Sequence, residues 1–218
     1  MTPIILRRSS AAFLVAAPAL VAILHVVSPD LEPRSSRLSQ YANGPHGYLM
    51  TLAFLVLGIG MLMLAAALRS QRERRRVPWS VHAGVAVAGA GMVISGFVAT
   101  DPGSANSMRE GIHSLASGLA SVAVVGTALV WLIAGRLRSP LDWQPSRLGA
   151  ACAVAATALA VASPLLHRSS WTGLSQRSLW VALLCWLFAV VWSLRSVAAT
   201  HVSDDVSAVS ATAETIDA

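Results

Sequence analysis

The chain has 218 residues, of which 55% are hydrophobic and only 12% charged, with a mean hydropathy of +0.63. A water-soluble domain of this length carries about 25% charged residues, so the composition excludes an ordinary soluble enzyme and points to a membrane protein. The formal net charge of +6 comes from sixteen arginines and no lysine. They lie in short connections between apolar runs, which argues against a nucleic-acid-binding face and marks them as topology signals.

Six apolar windows approach the ~20 residues needed to cross a ~30 Å hydrocarbon core. The first, 11–28, follows Arg7-Arg8 and contains Pro18. A cleaved export signal is the competing reading, but no small-x-small site is followed by a hydrophilic start, so a retained helix is expected. Windows 48–68, 80–100, 112–135, 148–166 and 179–198 follow. Residues 201–218 are polar, acidic and rich in small residues, and read as a disordered cytoplasmic tail.

Loop charge orients the windows. The connection after the second carries Arg69, Arg72, Arg74, Arg75 and Arg76 against Glu73, and that after the fourth carries Arg136, Arg138 and Arg147 against Asp142. The alternate connections are less basic: Arg34 and Arg37 are offset by Asp30 and Glu32, and Arg109 by Asp101 and Glu110. The expected fold is therefore an all-α, six-transmembrane-helix bundle with both termini cytoplasmic, multi-pass in the inner (plasma) membrane. Trp79, Trp131, Trp143, Trp171, Trp180 and Trp192 fall at window ends and read as interfacial anchors. Cys152 and Cys185 fall at different expected depths, so both read as buried, unpaired small hydrophobes.

Two outer connections echo each other. "SPDLEPRSSRLSQ" from Ser28 and "SPLLHRSSWTGLSQ" from Ser163 both run Ser-Pro-x-Leu, Arg-Ser-Ser, Leu-Ser-Gln. A duplicated helical unit would produce this, and such short strings also recur by chance.

The topology gathers His25, His46, Asp101, His113 and His167 at the outer face. His113, Ser117 and Ser121 recur every four residues and share one side of a helix. Gly111, Gly118 and Ala120 would let a neighbouring helix approach closely. The plainest reading is that charges and imidazoles gather at span ends, where they cost far less than the ~2.5–3.5 kcal/mol of the helix centre. A polar pocket for a lipid headgroup or small solute is the functional reading preferred. Two others need convergence: a metal site drawn from His25, His46, Asp101, His113 and His167, giving a lipid hydrolase, or a haem ligated by His25 with His113 or His167. A small transporter calls for broken helices, and Pro18 and Pro164 form no obvious discontinuous pair.

Three stretches resemble the domain-of-unknown-function 998 family of bacterial and archaeal six-span membrane proteins: "RSSRLSQYANGPHGYLMTLAFLVLGIGM", "GFVATDPGSANSMREGIHSLAS" and "WTGLSQRSLW". The resemblance spans about residues 10–200 and singles out Asp101, Pro102, Gly111, His113, Gly173, Leu174 and Arg177. Val98 and Gln176 depart from its pattern, where a proline or bulky residue and an acid, respectively, are expected. The resemblance implies a membrane location and a six-span fold but no reaction. The combined expectation is a polar pocket on Asp101, His113, Ser117 and Arg177, with Asp101 pairing Arg177. Membrane lipid is the expected partner, a non-enzymatic role is favoured over an enzymatic one, and no cofactor is firmly implied. Substrate and oligomeric state are left undetermined.

Overall fold

The computed structural model describes residues 2–71, 77–98, 107–137, 146–166 and 169–194. Among them the chain forms α1 (Pro3–Val27), a 3-10 helix (Leu38–Asn43), α2 (Gly47–Ser70), α3 (Trp79–Phe97), α4 (Met108–Leu137), α5 (Arg147–Leu166) and α6 (Thr172–Ser193). No strand occurs among the described residues. Five of the α-helices are long and apolar enough to cross a membrane; α5, whose described apolar stretch is Arg147–Ser163, is shorter. The chain is a multi-pass membrane protein.

Helix α1 starts at Pro3, a first-turn position whose missing N–H costs nothing. It therefore takes in Arg7 and Arg8, ahead of the apolar window. Arg7 Nη1 donates to the Leu194 carbonyl, 3.4 Å away, at the end of α6. That cation meets the negative end of the helix dipole. At the other end of the bundle α6 starts at Thr172 rather than near residue 179, because its polar first turns are held by the α1–α2 loop described below.

Consecutive helices pack against each other from α1 to α4, α5 pairs with α6, and α1 meets α6. Fully buried Leu14, Leu24, Met50, Leu64, Leu68, Val81 and Val85 form much of the core. Lipid tails are as apolar as leucine, so van der Waals fit rather than exclusion from water holds such helices together. Gly58 and Gly89 supply the closest fit between α2 and α3. A Cβ on Gly58 would sit 2.7 Å from the Gly89 carbonyl oxygen, and one on Gly89 2.9 Å from the Gly58 oxygen.

Three expectations change here. Gly111 and Gly118 face open space, with nothing within 4 Å of where a Cβ would sit, and the close contact on α4 falls to Ala120 against Gly91. Trp131 is no interfacial anchor: it is fully buried and packs edge-on against Trp186, with ring centroids 6.1 Å apart. The cysteines are neither buried nor apart. Cys185 is exposed and Cys152 half-buried, and the contact of Gly149 with Ala189 sets them at neighbouring levels of α5 and α6. The earlier start of α6 moves Cys185 along the bundle to the level of Cys152.

Gly89→Leu should overpack the α2–α3 contact and lower stability by about 1–3 kcal/mol, read as a lower thermal midpoint in detergent. Gly118→Leu should leave the midpoint unchanged.

Candidate functional site

The loop between α1 and α2 folds over the start of α6, and the α6 residues Gly173–Arg177 take hold of it. Gly173 has no side chain because none fits: a Cβ would lie 2.5 Å from the carbonyl oxygens of both Pro33 and Ser36. The Leu174 N–H donates to the Arg34 carbonyl (3.0 Å). Gln176 Oε1 accepts the Leu38 N–H (2.9 Å) at the start of the 3-10 helix. An acid at 176, as the family resemblance leads one to expect, would accept the same proton, so the glutamine preserves the contact without the charge.

Arg177 is the centre of this clasp. Its Nη1 donates to the carbonyls of Ser36 (2.6 Å), Pro33 (2.7 Å) and Gly173 (3.0 Å). Its Nε donates to His25 Nε2 (3.1 Å) and its Nη2 to the Tyr41 hydroxyl (3.3 Å). A planar fork of five N–H groups can serve acceptors on three chain segments at once, which an ammonium group cannot do in the same geometry. Among the described residues every acceptor of Arg177 is neutral, and one Nη2 hydrogen is left over.

The neighbours are fixed in turn. His25 Nδ1 lies 2.7 Å from the Val21 carbonyl and must donate to it, so Nε2 is the bare nitrogen that accepts from Arg177. Both ring nitrogens of His25 are thus engaged. Tyr41 is 1% exposed, donates to the Leu31 carbonyl (3.1 Å) and stacks at a tilt on His25, centroids 5.0 Å apart. Outside this core the exposed Arg34 guanidinium lies 3.8 Å above the Trp171 ring.

His113 occupies a second junction, between α3 and α4. It is 4% exposed, and its Nδ1 donates to the carbonyls of Val98 (2.8 Å) and Ser95 (3.1 Å). Its ring meets Phe54 of α2 edge-on at 5.8 Å. The last carbonyls of a helix lack partners within the helix, and His113 supplies one to the end of α3. The buried face of α4 continues through Ala116, Ala120, Val124 and Thr127. Ser117 and Ser121 flank that face, half-buried, and their hydroxyls donate to the Ser114 (3.2 Å) and Ser117 (2.9 Å) carbonyls of the same helix.

The structure thus joins Arg177 to His25 and seats His113 on other partners. His46 stands at the start of α2, edge-on to Tyr48 at 6.4 Å. Asp101 and His167 lie outside the described residues, and with them the proposed Asp101–Arg177 pair. Among the described residues no three His, Cys, Asp or Glu side chains are grouped to hold a metal.

Sequence reasoning misses Tyr41, Gln176 and the Pro33 and Ser36 carbonyls. One signal points to them: the two echoing segments lie against each other, bonded through Leu174 to Arg34 and Leu38 to Gln176. The family model described as "Protein of unknown function (DUF998)" matches residues 10–193. No curated protein and no solved structure matches.

Gly173→Ala should push the Pro33 and Ser36 carbonyls off α6 and loosen the loop. Limited trypsin digestion should then cut after Arg34 or Arg37 several-fold faster than in the wild type; an unchanged rate would contradict the clasp.

Proposed function

The chain belongs to the DUF998 family, and we propose that it is a six-span protein of the plasma membrane, with both ends cytoplasmic, whose outer face binds an anionic lipid headgroup. The observation that carries this reading is the Arg177 guanidinium, whose acceptors among the described residues are all neutral. Among the described residues its positive charge is held in place by neutral groups and meets no carboxylate.

Several features support the rest of the reading. The C-terminal end of α1 and the N-terminal ends of α2 and α6 meet around this cluster, as alternating spans require. Arg7, near the start of α1, meets the end of α6 at the opposite pole. The exposed Arg34 on Trp171 adds a second cation beside an indole, the pairing suited to a phosphate at the level of the headgroups. In this reading Arg177 fixes the shape of the site and presents its remaining N–H, and Arg34 supplies the accessible charge. Hydrolase and transporter readings have no comparable support: the Nε2 of His25 would have to give up Arg177 before it could ligate a metal.

Binding to lipid nanodiscs of graded composition tests the proposal, with phosphatidylglycerol compared against phosphatidylcholine by native mass spectrometry. Arg34→Gln is the informative variant, since only the Arg34 backbone carbonyl takes part in the clasp. A basic residue near an anionic surface contributes about 1 kcal/mol, so the variant should lose about five-fold in phosphatidylglycerol affinity at an unchanged thermal midpoint. Equal retention of both lipids by the wild type would contradict the proposal.

A further inference from the structure

Cys152 and Cys185 take no part in the clasp, yet the fold brings them together. Gly149, one turn before Cys152 on α5, meets Ala189, one turn after Cys185 on α6: a Cβ on Gly149 would sit 3.1 Å from the Ala189 Cβ. In an antiparallel helix pair this register sets Cys152 and Cys185 at the same level on adjoining helices. Both are free thiols, and a disulfide between them would need an S–S bond of about 2.05 Å. Cys185 is exposed and Cys152 half-buried, so one sulfur is open to the surroundings of the bundle and the other waits behind it.

We propose that Cys152 and Cys185 form a two-cysteine oxidation site at which a hydroperoxide closes a disulfide between α5 and α6. The exposed Cys185 sulfur, as thiolate, attacks one peroxide oxygen; the O–O bond breaks, and the departing alkoxide leaves as an alcohol with the proton the thiol gave up. Cys185 is then a sulfenic acid. The Cys152 sulfur attacks the Cys185 sulfur, the S–O bond breaks, and hydroxide leaves as water with the Cys152 proton. In sum, two thiols and one hydroperoxide give one disulfide, one alcohol and one water, with the sulfurs oxidised and the peroxide reduced by two electrons. A lone exposed thiol would go on to sulfinic acid, whereas an adjacent thiol captures the sulfenic acid first. A small dithiol reverses the bond by exchange. Because Cys185 is exposed on the outside of the bundle, the oxidant could reach it either from the acyl phase or from water.

The test uses the full chain, reduced and reconstituted in lipid nanodiscs, treated in parallel with cumene hydroperoxide, which partitions into the membrane, and with hydrogen peroxide at equal concentration. The expected result is an intact mass lower by two hydrogens, loss of both maleimide-reactive thiols, a Cys152–Cys185 linked peptide, and recovery with dithiothreitol. The ratio of the two rates identifies the source, a faster cumene arm marking oxidant from the acyl phase and a faster hydrogen peroxide arm oxidant from water. In Cys152→Ser the linked peptide should vanish and dimedone should trap a sulfenic acid on Cys185. Wild-type protein that gives sulfinic acid on Cys185 while Cys152 stays alkylatable, a disulfide between two chains, or no oxidation at all would overturn the proposal.

Discussion

Peptide carbonyls in irregular backbone have no helix ladder to serve them, so where another element packs on them they need donors from it. Arg177 meets that requirement for the α1–α2 loop. Its guanidinium gathers the Pro33 and Ser36 carbonyls of the loop, the Gly173 carbonyl of its own helix, the His25 ring of α1 and the Tyr41 hydroxyl. The remaining features of this end of the molecule are conditions for that one group to sit where it does. Gly173 is small because the same carbonyls crowd it, Tyr41 is buried because it bridges Arg177 to Leu31, and His25 holds its proton on Nδ1 so that Nε2 can accept.

His113 does the same kind of work at the α3–α4 junction, where its single N–H is shared between the Ser95 and Val98 carbonyls. The two short motifs Gly111-x-His113 and Gly173-Leu174-x-x-Arg177 therefore have a common physical role. Each places a side-chain donor in the first two turns of a helix to satisfy the backbone that precedes it or packs on it. The bundle between these ends depends on a different constraint, the close fit of glycine and alanine surfaces such as Gly58 on Gly89.

Helix content and membrane character are legible in the sequence because apolar length and arginine placement are linear properties. The residues at the centre of the site are legible too: His25, His113 and Arg177 stand out as polar groups at the ends of apolar runs. Their partners are not. Opposite charge is the pairing a sequence displays, so it offers Asp101, which lies outside the described residues; the acceptors of Arg177 among the described residues are mostly main-chain carbonyls, which every residue carries and no sequence singles out. The spacing of the serine stripe on α4 suggests that it points inward. Back-bonding within the helix lets Ser117 and Ser121 flank the buried face instead. The cysteines look separated in the sequence because hydropathy places the start of α6 too late, its first turn being polar.

The central claim is that Arg177 holds the α1–α2 loop to the start of α6. Hydrogen–deuterium exchange of the wild type and Arg177→Met in the same nanodiscs tests it most directly. The account predicts that the variant loses protection at the Leu38 and Leu174 amides and across the 3-10 helix, while α2 and α3 exchange as before. Unchanged protection of the loop in a folded Arg177→Met protein would contradict it.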